Sequence, residues 1–214
     1  MKYKTLLFDL DGTVIDSFEG VINSVKYSLN KLNAPIPDSE KLKKYVGPPL
    51  TESYMKFNGF DRKKAEDAIE IYREYYTEKG IYETRLYDGM YSLLEDLHKA
   101  GYEIILATSK PEKYAVKILE NLCILKFFSK VCGCPMKEAG VTKIDIMNLA
   151  IKNAKTKNKS EIIMIGDTTY DINGAEYFKI DSVGVLYGAG SAEELSDATY
   201  IANDVNDLRK IFLN

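Results

Sequence analysis

The ten residues KTLLFDLDGT, positions 4–13, decide the fold class of this chain. They belong to a short apolar run, Tyr3–Leu10, that is rich in residues favouring β-structure and is followed at once by Asp11 and Gly12. A run of this length ending in turn-forming residues predicts a buried strand. Asp9 and Asp11 therefore stand where this strand is expected to end. Open α/β sheets bind ligands at that end of their strands, so the pair is a candidate site.

Further apolar runs follow the same pattern along the chain. Gly101–Ala107 and Glu161–Ile165 each end in polar residues, and weaker runs lie at Lys130–Cys132 and Ser182–Val185. Amphipathic helical patterns separate or follow these runs, at Met90–Lys99, Glu112–Leu122, Lys143–Ala154, Thr169–Phe178 and Asp204–Phe212. Strands alternating with helices of about ten residues predict an α/β fold with a Rossmann-like, doubly wound parallel sheet.

Residues 17–83 break this alternation because they are helical in pattern almost throughout. Four helical patterns share the segment, at Phe18–Leu32, Ser39–Tyr45, Leu50–Phe57 and Arg62–Lys79. A block of roughly 65 residues is too long to be a simple loop in a compact domain. We therefore predict two domains: an α/β core formed by residues 1–16 and 84–214, and an inserted all-helical domain formed by residues 17–83.

Composition and charge argue against several kinds of partner and site. The 214 residues are 45% hydrophobic and 29% charged, with a net charge of −3 and both signs interspersed, which indicates neither a nucleic-acid nor a membrane partner. No apolar stretch approaches the ~18 residues that span a bilayer, and the N-terminus lacks a signal-peptide pattern, so we expect a cytoplasmic protein. Its three cysteines (Cys123, Cys132 and Cys134) are then expected to be reduced thiols. The single histidine, His98, speaks against a Ser-His-Asp hydrolase.

A second acidic cluster, Gly166-Asp167-Thr168-Thr169-Tyr170-Asp171, follows the predicted strand Glu161–Ile165. Asp167 and Asp171 are four residues apart, which would bring them to one face of the first turn of a helix. By itself the pattern could be helix-capping chemistry. Together with Asp9 and Asp11 it predicts a carboxylate-rich, oxygen-only site that suits Mg²⁺.

These motifs, in this order, resemble those of the haloacid-dehalogenase-like hydrolases. The resemblance rests on Asp9-Leu10-Asp11-Gly12-Thr13, on Thr108-Ser109-Lys110-Pro111, on a lysine near a later helix start, and on Gly166-Asp167 with Asp171. It covers essentially the whole chain. The helical insertion resembles the cap domain of the phosphoglycolate-phosphatase-like branch.

The resemblance implies a Mg²⁺-dependent phosphomonoester hydrolase that works through an aspartyl-phosphate. Asp9 is the expected nucleophile and Asp11 the expected general acid and base. Metal-site residues are expected to be Asp9, Asp11 through its main-chain carbonyl, Asp167 and Asp171, the last through water or by orienting another ligand. Phosphate-binding residues are expected to be Thr108, Ser109 and Lys143.

The phosphate-binding lysine is the position with open alternatives. Lys143 begins a predicted helix at the expected place, but the segment lacks the Lys-Pro pair common in the family. Lys110 and Lys137 are the rivals. The alternative for each of these three lysines is that it is a solvated charge on the protein surface.

Two other functions compete with hydrolysis. A β-phosphoglucomutase-like phosphotransferase is expected to use a histidine of the cap, and residues 16–83 contain none. A non-enzymatic phosphate-binding regulatory domain of the receiver kind lacks a helical insertion. We therefore favour hydrolysis of a small phosphorylated metabolite (phosphoglycolate, a sugar phosphate or a 5′-nucleotide) by a monomer or homodimer.

Overall fold

In the computed structural model, which describes residues 2–136 and 140–213, the polypeptide divides into two compact units. One unit combines Met1–Ile15 with Leu86–Asn214, and the other is Asp16–Arg85. The first contains the main sheet, and the second contains the helical segments between Phe18 and Tyr75. The function of the second unit as a cap stays a prediction.

Six parallel strands form the main sheet of the first unit. The strands found in the described residues are β1 (Thr5–Phe8), β2 (Ile15–Asp16), β3 (Arg85–Leu86), β4 (Glu103–Pro111), β5 (Lys130–Cys134), β6 (Ile162–Gly166), β7 (Asp181–Val185) and β8 (Tyr200–Ala202). The main sheet has the order β5-β4-β1-β6-β7-β8, and β2 and β3 form a separate two-stranded sheet. This order confirms the predicted doubly wound α/β fold. Strand β8 is an addition that the sequence pattern did not reveal.

Strand β1 lies inside the sheet because it is apolar on both faces. Its residues TLLF are all buried, and Thr5 is in register with Glu103 of β4 on one side and with Ile162 of β6 on the other. A parallel strand covered on both faces is expected to have such a continuous apolar run. The chain builds β4 and β5 on one side of β1 and then β6 to β8 on the other. The carboxyl ends of β1 and β6 therefore lie where the strand order reverses, which is the usual ligand site of such sheets.

The helices of both units follow the amphipathic patterns closely. The α-helices in the described residues are α1 (Phe18–Lys31), α2 (Ser39–Lys43), α3 (Leu50–Asn58), α4 (Arg62–Tyr75), α5 (Met90–Lys99), α6 (Glu112–Asn121), α7 (Lys143–Asn153), α8 (Thr169–Phe178) and α9 (Val205–Leu213). Helices α7 and α8 cover one part of the sheet, where Met147 and Ala175 join Leu7 and Met164 in a buried apolar cluster. That cluster fixes the starts of both helices relative to the ends of β1 and β6.

Two predicted elements differ from the structure in an informative way. The helix predicted over Arg62–Lys79 ends at Tyr75 and continues as a π-helical turn, Tyr76–Gly80, which brings Gly80 against α1. A Cβ atom on Gly20 would lie 2.0 Å from the Gly80 carbonyl oxygen, so this approach requires glycine. Strand β4 continues to Pro111, four residues beyond its predicted end, with a shift of register after Ala107.

The second unit has an aromatic core. The rings of Tyr45 and Tyr54 meet edge to face at 5.3 Å, and the Tyr54 hydroxyl lies 2.5 Å from that of Ser28. Tyr72 is also buried, whereas Tyr82 is exposed.

In the described part of the chain, no helix combines the length and the apolar character needed to cross a bilayer. Cys123 is an exposed free thiol, Cys132 is buried and Cys134 is partly buried. Burial raises the pKa of the Cys132 thiol to about 11.

Candidate active site

Asp9 and Asp11 lie directly beyond β1, in a turn held by backbone hydrogen bonds. The Asp9 N–H donates to the Ile165 carbonyl of β6 at 2.9 Å, which continues the sheet pairing to Asp9. Gly12 then turns the chain with φ +79, a left-handed conformation that favours glycine. A Cβ atom at Gly12 would also lie 2.1 Å from the Asp167 carboxylate, so the turn packs directly on a residue of the second acidic cluster.

Asp167 and Asp171 complete a group of three buried carboxylates with Asp9. One carboxylate oxygen from each lies within 4.8 Å of the others. Asp167 follows β6, and Asp171 lies in the first turn of α8, where its Oδ2 accepts hydrogen bonds from the Thr168 N–H at 3.1 Å and the Thr168 hydroxyl at 2.8 Å. The capping interpretation of this motif is therefore correct for one oxygen of Asp171. Its other oxygen, Oδ1, faces the acidic group.

Lys143 is the cation of this group. Its Nζ lies 2.6 Å from Asp9 Oδ1 and 2.6 Å from Asp171 Oδ1, and it donates to the Ala107 carbonyl at 2.7 Å. The lysine is 6% exposed. It begins α7, whose start is fixed because Thr142 and Asp145 hydrogen-bond each other's backbone N–H, at 2.9 and 3.2 Å. The sequence at the helix start thus sets the position of the lysine.

The charges of this group do not balance within the described residues. Asp9, Asp167 and Asp171 are buried together, and Lys143 pairs with only two of them, Asp9 and Asp171, so the three carboxylates, if all ionised, would outnumber the cation. Burial, only partly opposed by Lys143, raises the pKa of Asp9 to about 7. Burial and the nearby Asp9 and Asp171 carboxylates raise the pKa of Asp167 well above its ordinary value. The pKa of Lys143 is raised because the two carboxylates outweigh the effect of its burial.

Asp11 is held separately, by Lys110. The Lys110 Nζ donates to Asp11 Oδ1 at 2.9 Å, and both side chains are less than 10% exposed. The carboxylate of Asp11 is accordingly not part of the group formed by Asp9, Asp167 and Asp171. A role of Asp11 at a metal through its main-chain carbonyl is compatible with this arrangement.

Thr108 and Ser109 lie in the irregular last part of β4. The Thr108 hydroxyl is buried and accepts a hydrogen bond from the Lys110 N–H at 3.2 Å, which leaves its own proton to be donated elsewhere. Ser109 is partly buried, and no contact between it and the three carboxylates is found in the described residues. Of the two, only Thr108 is fully buried.

The three candidate lysines differ in position. Lys143 lies among the carboxylates, Lys110 binds Asp11, and Lys137 falls outside the described residues. The suggestion that Lys143 and Lys110 are solvated surface charges is wrong, because both are buried in ion pairs.

Sequence reasoning did not identify the residues that hold Asp167. Its carboxylate accepts hydrogen bonds from the Thr13 hydroxyl at 3.2 Å and from the Ala189 N–H at 2.7 Å. The Gly188-Ala189-Gly190 sequence, shortly after a predicted strand, was the available signal, since glycines at that edge of a sheet allow backbone to approach a site closely.

The chain is similar to known proteins over most of its length. A family model described as haloacid dehalogenase-like hydrolase matches residues 6–185. A 5′-nucleotidase of Pseudomonas aeruginosa is 33% identical over 213 residues, 99% of this chain and 96% of that protein. The tyrosine-protein kinase PtkA of Mycobacterium tuberculosis is 35% identical over 88% of this chain and 64% of that protein.

A solved structure is similar over the whole chain. The crystal structure of a predicted phosphatase from Clostridium acetobutylicum matches with a TM-score of 0.94 and 41% identity, covering 100% of this chain and 99% of that one. A phosphoglycolate phosphatase of Vibrio parahaemolyticus is 27% identical over 97% of this chain and 95% of that protein.

Proposed function

Because the chain belongs to the haloacid dehalogenase-like hydrolase family, we propose that it hydrolyses the phosphomonoester of a small metabolite with Mg²⁺ and with Asp9 as the nucleophile. The predicted class of enzyme, a phosphatase, and the phosphoglycolate-phosphatase-like branch are confirmed by the relatives described above. The observation that carries the mechanism is the group of three buried carboxylates around Lys143 at the carboxyl end of the sheet.

The donor set fits a hard divalent cation. Mg²⁺ prefers oxygen ligands, and the excess negative charge of Asp9, Asp167 and Asp171 over Lys143 is what a divalent cation would neutralise. Asp9, Asp167 and the Asp11 main-chain carbonyl would hold the ion, with Asp171 acting through water or by orienting a ligand. When bound, the ion supplies positive charge against the phosphoryl oxygens.

In the first step the Asp9 carboxylate attacks phosphorus, and the bond from phosphorus to the ester oxygen breaks. Asp11, in its acid form, gives its proton to the departing alkoxide. In the second step Asp11 takes a proton from water, whose oxygen attacks the phosphorus of the aspartyl-phosphate. The bond from phosphorus to Asp9 breaks, which returns the Asp9 carboxylate and releases phosphate.

Two groups of this chain stabilise the transferring phosphoryl group. An anion attacking a phosphate dianion is repelled by roughly 4 kcal/mol per pair of unit charges at 4 Å and an effective dielectric of 20. The Lys143 ammonium opposes this repulsion next to the attacking oxygen of Asp9. The Thr108 hydroxyl oxygen accepts the Lys110 N–H with a lone pair, and its own proton stays available to be donated to a phosphoryl oxygen.

Among the candidate substrates, we favour a 5′-nucleotide. The support is the 5′-nucleotidase of Pseudomonas aeruginosa, which is 33% identical to this chain, whereas the phosphoglycolate phosphatase of Vibrio parahaemolyticus is 27% identical. Hydrolysis rather than a mutase reaction is supported by the absence of histidine from residues 16–83.

The test is a panel of phosphomonoesters with purified protein: 5′-nucleotides, phosphoglycolate, sugar phosphates and β-glucose 1-phosphate. We expect phosphate release that needs Mg²⁺ and stops with excess EDTA. Full activity in EDTA would exclude the metal role. Conversion of β-glucose 1-phosphate to glucose 6-phosphate without phosphate release would favour the mutase.

A further inference from the structure

The turn that follows β7 is built around Asp167. We call Tyr187-Gly188-Ala189-Gly190 the clamp loop. The Ala189 N–H donates to Asp167 Oδ2 at 2.7 Å, and the Gly190 N–H donates to the Asp167 main-chain carbonyl at 2.9 Å. The loop thus binds both the side chain and the backbone of one acidic residue.

The other oxygen of Asp167 is reached through Tyr187. The Tyr187 hydroxyl donates to the Thr13 carbonyl at 3.0 Å, and the Thr13 hydroxyl donates to Asp167 Oδ1 at 3.2 Å. Burial and the nearby Asp167 carboxylate raise the pKa of Tyr187 well above its ordinary value, so the phenol keeps the proton that it donates. The ring packs edge to face on Tyr87 with 4.6 Å between centroids. Tyr187 therefore ties the clamp loop to the turn that carries Thr13.

No side chain fits between the clamp loop and Asp167. A Cβ atom at Gly188 would lie 2.4 Å from the Asp167 Cβ and 2.4 Å from the Gly12 carbonyl oxygen. Real Cβ atoms do not come this close, and the neighbours here are backbone or short, buried atoms that cannot move aside easily. Glycine at position 188 is thus a condition for the hydrogen bond from Ala189.

The donors to Asp167 are neutral. Among the described residues, Lys143 binds Asp9 and Asp171, whereas the hydrogen bonds to the Asp167 carboxylate come from a hydroxyl and a backbone N–H. Neutral donors fix the direction of a carboxylate and leave its charge to be matched by a bound cation. An oriented carboxylate is what a cation site needs from its ligand.

We infer that the clamp loop is a positioning element for the metal ligand Asp167, with Tyr187 and the Gly188-Ala189 backbone setting the cation affinity of the site. The inference rests on the proposed function in that Asp167 is taken as a ligand of Mg²⁺. None of these loop residues touches substrate in this scheme. Each acts through Asp167.

The experiment is calorimetric titration of the substrate-free protein with Mg²⁺ alone. Tyr187→Phe is expected to weaken Mg²⁺ binding about tenfold and Gly188→Ala up to about 100-fold, the range found when residues that orient metal ligands are changed. Tyr102→Phe is the matched control, because its hydroxyl also donates to a buried main-chain carbonyl, that of Phe212, at 2.6 Å. The control should lose similar stability but keep wild-type Mg²⁺ affinity.

A kinetic readout separates positioning from a general structural role. The Tyr187→Phe variant should need more Mg²⁺ for half-maximal rate and should regain most of the wild-type kcat when Mg²⁺ is saturating. Wild-type Mg²⁺ affinity in a folded Tyr187→Phe protein, or equal weakening in Tyr102→Phe, would overturn the inference. So would a wild-type protein that binds no Mg²⁺. A wild-type protein that binds Mg²⁺ yet hydrolyses no phosphomonoester would instead contradict only the proposed reaction.

Discussion

Replacing Asp9 by asparagine tests the covalent step at its reacting atom. An amide cannot form the acyl-phosphate, so Asp9→Asn should lower kcat by at least about 10³-fold. The fold should survive, because Asp9 is a buried carboxylate whose pKa is already raised to about 7, and a neutral isostere costs less to bury. Acid-quenched wild-type enzyme should carry phosphate on Asp9. Phosphate found on a serine, or a variant with near wild-type rate, would refute the mechanism.

Replacing Lys143 by methionine tests the buried cation. Its ammonium bridges Asp9 and Asp171, so its loss should lower kcat by roughly 10²–10³, the scale of removing one oxyanion donor. Lys110→Met should do less, roughly tenfold, because Lys110 holds Asp11 rather than Asp9. Rates are compared with Mg²⁺ saturating, and Lys110→Arg, which keeps the charge, should recover part of the loss. If Lys110→Met lowered kcat more than Lys143→Met did, the main phosphate-binding charge would come from β4.

At the scale of the element, the turn before α3 tests substrate choice. Gly47-Pro48-Pro49 combines a glycine at φ +99 with two prolines, so its backbone has little freedom. We predict that substitutions at Pro48 and Leu50 change which phosphomonoester is preferred while the rate on a small generic substrate changes less than about threefold. The panel described above is the measurement. An unchanged rank order of substrates would make this turn purely structural.

Some elements have the bounds that the sequence predicts, for two different reasons. In Met90–Lys99 the buried residues Met90, Leu93 and Leu97 recur on one face of the helix. Thr169–Phe178 has a weaker apolar pattern, but the capping pair Thr168 and Asp171 marks its start. Strand β8, Tyr200–Ala202, was missed since three residues carry too little pattern. The contact between Ala189 and Asp167 was missed for a different reason. It joins a backbone N–H to a carboxylate 22 positions away, and its one signal in the sequence is the pair of glycines, Gly188 and Gly190, that flank Ala189.

The sequence predicted which residues come together at the candidate site more completely than it predicted the bounds of the strands and helices. Asp9, Asp167 and Lys143 converge as motif order suggested, because parallel strands bring their carboxyl ends to one edge. The separate pairing of Asp11 with Lys110 was not predicted. It depends on β4 continuing past Thr108, which the polar residues of that segment concealed.

For the whole molecule, the raised pKa values of Asp9 and Asp167 predict how stability depends on pH. Between about pH 4, the range of an unfolded aspartate, and about pH 7, the folded protein holds more protons at Asp9 than the unfolded chain does. Stability contributed by these groups in EDTA should therefore fall as the pH rises through this window. Mg²⁺, which replaces those protons, should raise the melting temperature more at pH 8 than at pH 5.

Thermal unfolding at pH 5 to 8, with EDTA or with Mg²⁺, measures this effect. Asp167→Asn removes one of the two groups, so in EDTA this variant should gain stability relative to the wild type as the pH rises. The difference between the two proteins isolates Asp167 from carboxylates elsewhere, such as Asp181, whose pKa is lowered. A difference that stays constant, or that grows in favour of the wild type at high pH, contradicts the prediction.

The position of β1 also determines when the active site can form during synthesis on the ribosome. Thr5 pairs with Glu103 on one side and with Ile162 on the other, so the central strand is made first and its second neighbour much later. At ~5–20 residues per second, the roughly 150 residues between them take about 8–30 s to translate. Throughout that interval β1, which is apolar apart from Thr5, has an unpaired edge, and the chain still lacks Asp167, with which Asp9 forms the acidic group. We therefore expect the yield of active enzyme in a cell to depend on translation speed and on chaperones that cover this edge.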